Sequence, residues 1–416
     1  MKKNLLALAL ISVFSIQLSV SSAQQVVDDS FNRLQVHYSV PTPDLQSVPL
    51  GITKYNLLDI PGYMQGGEIG APSLPIRSDV IEVPFCDDIV VSVSNAVYDT
   101  LDFSSATNAF LPFQPSRSKS DTTPLSPVID GERYQTSTLW GLPLAEVEYM
   151  GIARDRRLAQ LRFSPVQVNP VTGQVVVCRS ADITVTYVNA DADHTLEYYR
   201  RYHTPVFSLG PTLNNLFAKD ETDDNIPIRM YIVVRSSMHC RAIDRFADWK
   251  RSQGLMVDVL DKGTINSENL ALDFQERYDT ASAEYPAPTF ILLVGDHAQL
   301  PAFNSRITTS GWNDVDNDHI TDLYFVTWTA GDDLPDCYQG RFSATDTVTL
   351  EAIIDKTMLY EQYAFTDDSY LGRAALIAGE DNGYHTASGW TADYAWIYAD
   401  PAMDYIAYNY VNADNG

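Results

Sequence analysis

The residues best placed to do chemistry stand at the end of one apolar run. In Thr289–Pro301 (TFILLVGDHAQLP), Phe290 to Val294 are apolar without a break, Gly295 ends the run, and Asp296 and His297 follow at once. Such a run reads as a strand buried on both faces of a parallel sheet. In open α/β sheets, ligands and catalysis collect at the carboxyl ends of strands, so an acid and an imidazole there mark a site. Two other groupings compete with it. His239 and Cys240 are adjacent; in a helix they point about 100° apart and cannot form a dyad with each other. Asp314, Asp316 and Asp318 alternate with Val315 and Asn317 in a D-x-D-x-D pattern of the kind hard cations prefer. It fails as an EF-hand, because the sixth position is His319 rather than Gly and the twelfth is Phe325 rather than Glu. A calcium loop and a solvated acidic loop are both open readings.

The elements that must position these residues begin at Ile226. Arg229–Val234, Leu255–Leu260, Thr289–Val294 and Arg373–Ala378 read as strands, and Asp322–Trp328 as extended. Met238–Gln253 reads as a helix, with Ile243, Phe246 and Trp249 on one side and Gly254 as its stop. Ser267–Glu284 reads as a second helix with Ser267 as N-cap. Leu350, Ile353, Ile354 and Met358 mark a third by their spacings of three and four. Alternating elements of this kind predict a parallel sheet covered by helices. Upstream, from Gln24 to about Asp224, the pattern is β. Val80–Phe85, Ile89–Val97, Ala145–Ile152, Leu158–Phe163, Gln174–Cys178 and Ile183–Val188 are the expected strands, and no amphipathic helix is evident. Pro112–Pro127 is rich in Ser, Thr and Pro and reads as a long exposed loop. Lys219–Asn225 (KDETDDN) reads as a solvated linker.

The bulk properties frame this division. A chain of 416 residues is too long for one ordinary core. Its formal charge of −26, from 28 basic and 54 acidic residues, argues against nucleic acid as a partner. Lys2 and Lys3, the apolar Leu5–Ile16 and the small residues Ser21-Ser22-Ala23 form a secretory signal peptide, cleaved after about Ala23. Export to the cell surface or the medium follows, and no later run reaches the ~18 apolar residues of a transmembrane helix. Cys86, Cys178, Cys240 and Cys337 permit one disulfide per half, with three connectivities and free thiols all open. The expected domains are a signal peptide over 1–23, a β-rich unit over 24–218, an acidic processing region over 219–227 and an α/β unit over 228–416.

Three phrases of the second half occur in a telling order. They are VGDH at 294–297, DLYF at 322–325, and LPDCYQGRFS at 334–343, ahead of a helix. Together they resemble the gingipain family of secreted cysteine endopeptidases, and Gly70–Pro84 (GAPSLPIRSDVIEVP) resembles that family's propeptide. The resemblance spans the chain after the signal peptide. It implies a multidomain zymogen: a β-rich propeptide followed by an α/β caspase-like domain, here truncated. It implies attack on a peptide carbonyl by a Cys thiolate, with a His base in a TGHG-like turn. Neither phrase occurs in this sequence, so the nucleophile and base are expected beyond Gly416 and residues 24–416 are expected to be inactive. By the same resemblance Asp296 and His297 are scaffold of the site, and Cys337, where the family accepts an apolar residue, has a packing or disulfide role. Glu380, after the strand Arg373–Ala378, is the residue expected to orient the absent His. Asp393 is a remote candidate for the substrate pocket in a segment, Gly383–Trp396, that departs from the arginine-specific members. The chemistry requires no cofactor, and a structural calcium at Asp314, Asp316 and Asp318 fits the family. The implied partners are protein or peptide substrates and the chain's own propeptide as intramolecular inhibitor. The rivals are a sortase-like transpeptidase of the type IX secretion system and a non-catalytic surface or adhesion protein keeping the fold.

Overall fold

The computed structural model describes residues 24–115, 126–218, 226–282, 284–304, 320–329, 331–377 and 400–412. The expected signal peptide, the linker Lys219–Asn225, the D-x-D-x-D loop with Asp314, Asp316 and Asp318, and Glu380 and Asp393 lie outside the described residues.

The first half is built on two large antiparallel sheets facing one core, with Asp44–Leu50 and Thr53–Asp59 as a separate two-stranded antiparallel pair. One carries Gln24–Asp29, Arg33–Ser39, Gln174–Val188 and Val166–Val168 in that order, with Asp88–Asp102 lying along Gln174–Val188. The other carries Met64–Gly66, Leu74–Glu82, Arg156–Phe163 and Ala145–Ala153. Alternation supplies the shared core, which includes Leu34, Val36, Tyr38, Ile81, Leu161, Phe163, Ile183 and Val185. The Tyr38 and Phe163 rings stack at 4.3 Å across it. The two strands expected at Gln174–Cys178 and Ile183–Val188 are one. Its pairing with Asp88–Asp102 shifts register at Ser180, which absorbs the polar interruption.

This half also holds a helix that the pattern does not announce, Ala192–Tyr202. Its buried face is Thr195, Tyr199 and Tyr202 rather than aliphatic residues, which hides the period. Asp191 caps it by accepting the His194 N–H.

The second half is a four-stranded parallel sheet ordered Met256–Lys262, Arg229–Arg235, Pro288–Val294, Tyr338–Phe342. Helices Arg241–Ser252 and Thr347–Glu361 cover one face, through Ile243, Phe246, Leu350 and Ile354 against Ile232, Val234 and Val294. Helix Ser267–Asp279 covers the other with Leu270, Phe274 and Tyr278 against Tyr231, Val233 and Leu293. Burying each such aromatic ring contributes roughly 2–3 kcal/mol. The cap of this last helix is Asn266, whose side chain accepts the Asn269 N–H at 2.9 Å, not the expected Ser267.

Two expected strands differ. Within Asp322–Trp328, Leu323–Phe325 forms a 3-10 turn, because Phe325 folds inward against Phe274 and Phe303. Arg373–Ile377 has no regular structure and exposes Ile377. An apolar run becomes a strand only by pairing, and this one does not pair with the edge strand Tyr338–Phe342. All four cysteines are free thiols, so neither half carries a disulfide.

Candidate active-site edge

The first strand of the parallel sheet in chain order, Arg229–Arg235, lies between the second and third, so the strand order reverses between Arg229–Arg235 and Pro288–Val294. The crevice beyond the carboxyl ends at such a reversal is where open α/β sheets bind ligands. Gly295 makes the exit from the second of these strands. Its φ of +121° suits glycine, and a Cβ there would lie 2.7 Å from the Gln299 Cβ.

Asp296 and His297 are exposed, and both are spent on this turn. The Asp296 carboxylate accepts the His297 N–H at 2.9 Å, and its carbonyl accepts the N–H groups of Gln299 and Leu300. The Ala302 N–H donates to His297 Nδ1 at 3.2 Å, which leaves the proton of a neutral ring on Nε2. The two side chains are therefore not a dyad with each other.

What locks the turn in place is Arg341. Its guanidinium donates to both oxygens of Asp322, at 2.7 and 2.6 Å, and to the carbonyls of Gly295 and Leu300, at 2.7 and 3.0 Å. Asp296, His297, Asp322, Arg341 and Ser343 line a small cavity of about 140 Å³ at this edge. The sequence offered one hint of Arg341, a lone cation after Gly340 at the end of a strand, but not its partner.

On the other side of the crevice, His239 sits between two carboxylates. Its Nδ1 is 2.6 Å from Asp261 and its Nε2 is 3.0 Å from Asp244, and Ser236 donates to Asp261. Hydrogen bonds to Asp261 and Asp244 hold the imidazole above its usual range. With both ring nitrogens engaged, His239 has no base left to offer its neighbour Cys240, which lies at the N-cap of helix Arg241–Ser252. Cys337 is buried at the opposite, amino-terminal edge, where burial pushes its thiol far up. A thiol held in its neutral form is a poor nucleophile, and Cys337 is such a thiol. No helix among the described residues is long and apolar enough to cross a membrane.

The described residues thus bring Asp296, His297, Asp322 and Arg341 together at one sheet edge, in a chain with a β-rich front and an α/β rear. Residues 21–201 match the family model for Propeptide_C25, and residues 223–414 match that for Peptidase family C25. The chain belongs to peptidase family C25. Lys-gingipain of Porphyromonas gingivalis is 29% identical over 437 aligned positions, which take in 100% of this chain and 24% of the relative. Gingipain R1 of the same organism is 25% identical, over 81% of this chain and 33% of its own length. A solved structure concerning the zymogenic latency of gingipain K is 28% identical and covers 42% of this chain and 98% of its own, with a TM-score of 0.38. The chain spans about a quarter of the length of the Lys-gingipain it matches. The two matches follow one another along the C25 chain in the order propeptide then peptidase.

Proposed function

We propose that this chain is the front part of an exported gingipain-like cysteine endopeptidase, made as a zymogen whose dyad lies in residues beyond Gly416. The observation that carries the reading is the succession of C25 propeptide and C25 peptidase matches along one chain. Thiolate attack on a peptide carbonyl forms the acyl-enzyme, an imidazole moves the proton, and backbone N–H groups hold the oxyanion. In this reading Gly295–Leu300, fixed by Arg341 and Asp322, is the scaffold on which the dyad rests, with Asp296 and His297 shaping its rim. Glu380 is the carboxylate that orients the base. Asp314, Asp316 and Asp318 hold a structural calcium. The β-rich half is the propeptide that keeps the enzyme latent until the region 219–227 is cut, and residues 1–23 direct export.

A peptidyl acyloxymethyl ketone, which alkylates only an activated thiolate, tests the assignment on the protein made from its whole reading frame. One label is expected after removal of the propeptide and none before. A processed protein that takes no label overturns the reading.

A further inference from the structure

The most heavily bonded point of contact between the two halves is a hairpin tip. Strands Ala145–Ala153 and Arg156–Phe163 are joined by Arg154 and Asp155, and Arg154 takes a φ of +57°, a conformation disfavoured for any residue with a Cβ. The strain sets the side chain into the α/β half, where Arg154 is 1% exposed. Its backbone N–H donates to Asp336 Oδ1 at 2.7 Å. Its Nη1 donates to the carbonyls of Pro288 at 2.7 Å and Asp336 at 3.2 Å, and Nη2 to that of Ala287 at 3.1 Å. The Tyr278 hydroxyl donates back to the Arg154 carbonyl at 2.9 Å. Five hydrogen bonds therefore cross between the halves at one residue, while Nε donates to Tyr202 of its own half at 2.7 Å.

The surroundings fit an anchor. The Ile152 N–H donates to Asp332 at 2.9 Å, and a Cβ on Gly151 would lie 2.6 Å from the Asp332 side chain, so the hairpin can approach this closely only as glycine. Tyr202 stacks on Tyr278 at 4.3 Å, and the Tyr338 hydroxyl exchanges hydrogen bonds with the Ser208 backbone at 2.8 Å. A buried arginine ringed by aromatic contacts that exclude water has the composition of an interface hot spot.

The seat is equally specific. Ala287 and Pro288 start the strand whose other end is Gly295, and Asp336 precedes the strand that begins at Tyr338. These contacts thus fall on the amino-terminal edge of the sheet, opposite Asp296 and His297. Arg154 donates to the carbonyls of Ala287 and Pro288 where the strand Pro288–Val294 begins.

We propose that Arg154, seated on the amino-terminal edge of the parallel sheet, is the anchor that holds the β-rich half on the α/β half without help from the chain connecting them. The inference rests on reading the β-rich half as the propeptide, and deepens it: holding on is the task of this hairpin, and the carboxyl edge is not needed for it.

The test uses residues 24–416 with 219–225 replaced by the recognition sequence of a site-specific protease. After cutting, the halves are examined by analytical ultracentrifugation across nanomolar to micromolar concentration. The halves of the parent are expected to sediment as one 1:1 species. Arg154→Ala is expected to weaken their association roughly 30-fold or more, the scale of an interface hot spot. Arg154→Lys, which keeps the charge but cannot reach all three carbonyls, falls between, and it replaces the alanine variant if that one fails to fold. Parent halves that separate at micromolar concentration overturn the proposal, as does an Arg154→Ala dissociation constant equal to the parent's, or an Arg154→Lys one where lysine serves as the substitute. The readout is mass, not turnover, so a failure here leaves the family's chemistry untouched.

Discussion

Replacing Arg341 by Ala tests whether the Gly295–Leu300 turn is held as the geometry says. The guanidinium makes two charged hydrogen bonds to Asp322 and two to turn carbonyls, with its side chain 14% exposed and that of Asp322 22% exposed. Breaking a fully buried pair costs about 3–5 kcal/mol, because the remaining charge is stranded. Exposed pairs are worth about 0–1 kcal/mol. For this mostly buried pair we expect a loss of about 2–3 kcal/mol. Arg341→Ala, Asp322→Ala and the double variant of residues 24–416 form a cycle, followed by urea unfolding with tryptophan fluorescence and far-ultraviolet circular dichroism as independent probes. A coupling of about 1.5–2.5 kcal/mol is expected. Single losses below about 0.5 kcal/mol with no coupling would refute the reasoning, since the pair would then act as a surface contact.

Three further outcomes follow from the titrating groups. His239 is held above its ordinary range by Asp261 and Asp244, so its contribution to stability is fully present below its unfolded pKa and is lost as pH rises through the raised folded value. Unfolding measured between pH 6 and 9 should show this slope, and His239→Gln should flatten it. Burial pushes Asp336 up to about 6, so the folded state binds the extra proton and this group's stability falls as pH rises from about 4 to 6. Asp336→Asn should remove that fall, as stability curves across this range will show. Cys337 is buried with its thiol pushed far up, so a disulfide reagent should modify it only after unfolding, and mass spectrometry of the native reaction should find it untouched.

The sheet was legible because a strand at its centre, Pro288–Val294, carries the unbroken apolar run Phe290–Val294, and its helices repeat at three and four. Legibility failed where a different chemistry did the packing. Helix Ala192–Tyr202 packs with tyrosines, and Asp322–Trp328 turned inward because its aromatic residues had a core to join rather than a strand to pair with. Both misreadings came from treating apolarity as period alone. In the sequence the edge that carries the candidate site is marked by the end of the apolar run and the Gly295 stop. Its lock is not, because Arg341 and Asp322 are 19 residues apart and only the fold brings them together. The same holds more strongly for Arg154, which lies 182 residues before Asp336 and reads in sequence as one charge among several in RDRR.

Turnover of a quenched peptide substrate by purified residues 24–416, beside the protein from the whole reading frame, tests the central claim most directly. We predict none from residues 24–416, and from the processed whole protein a rate abolished by thiol alkylation. Turnover by residues 24–416 that Cys240→Ala or Cys337→Ala removes would contradict it, because the nucleophile would then lie within this chain.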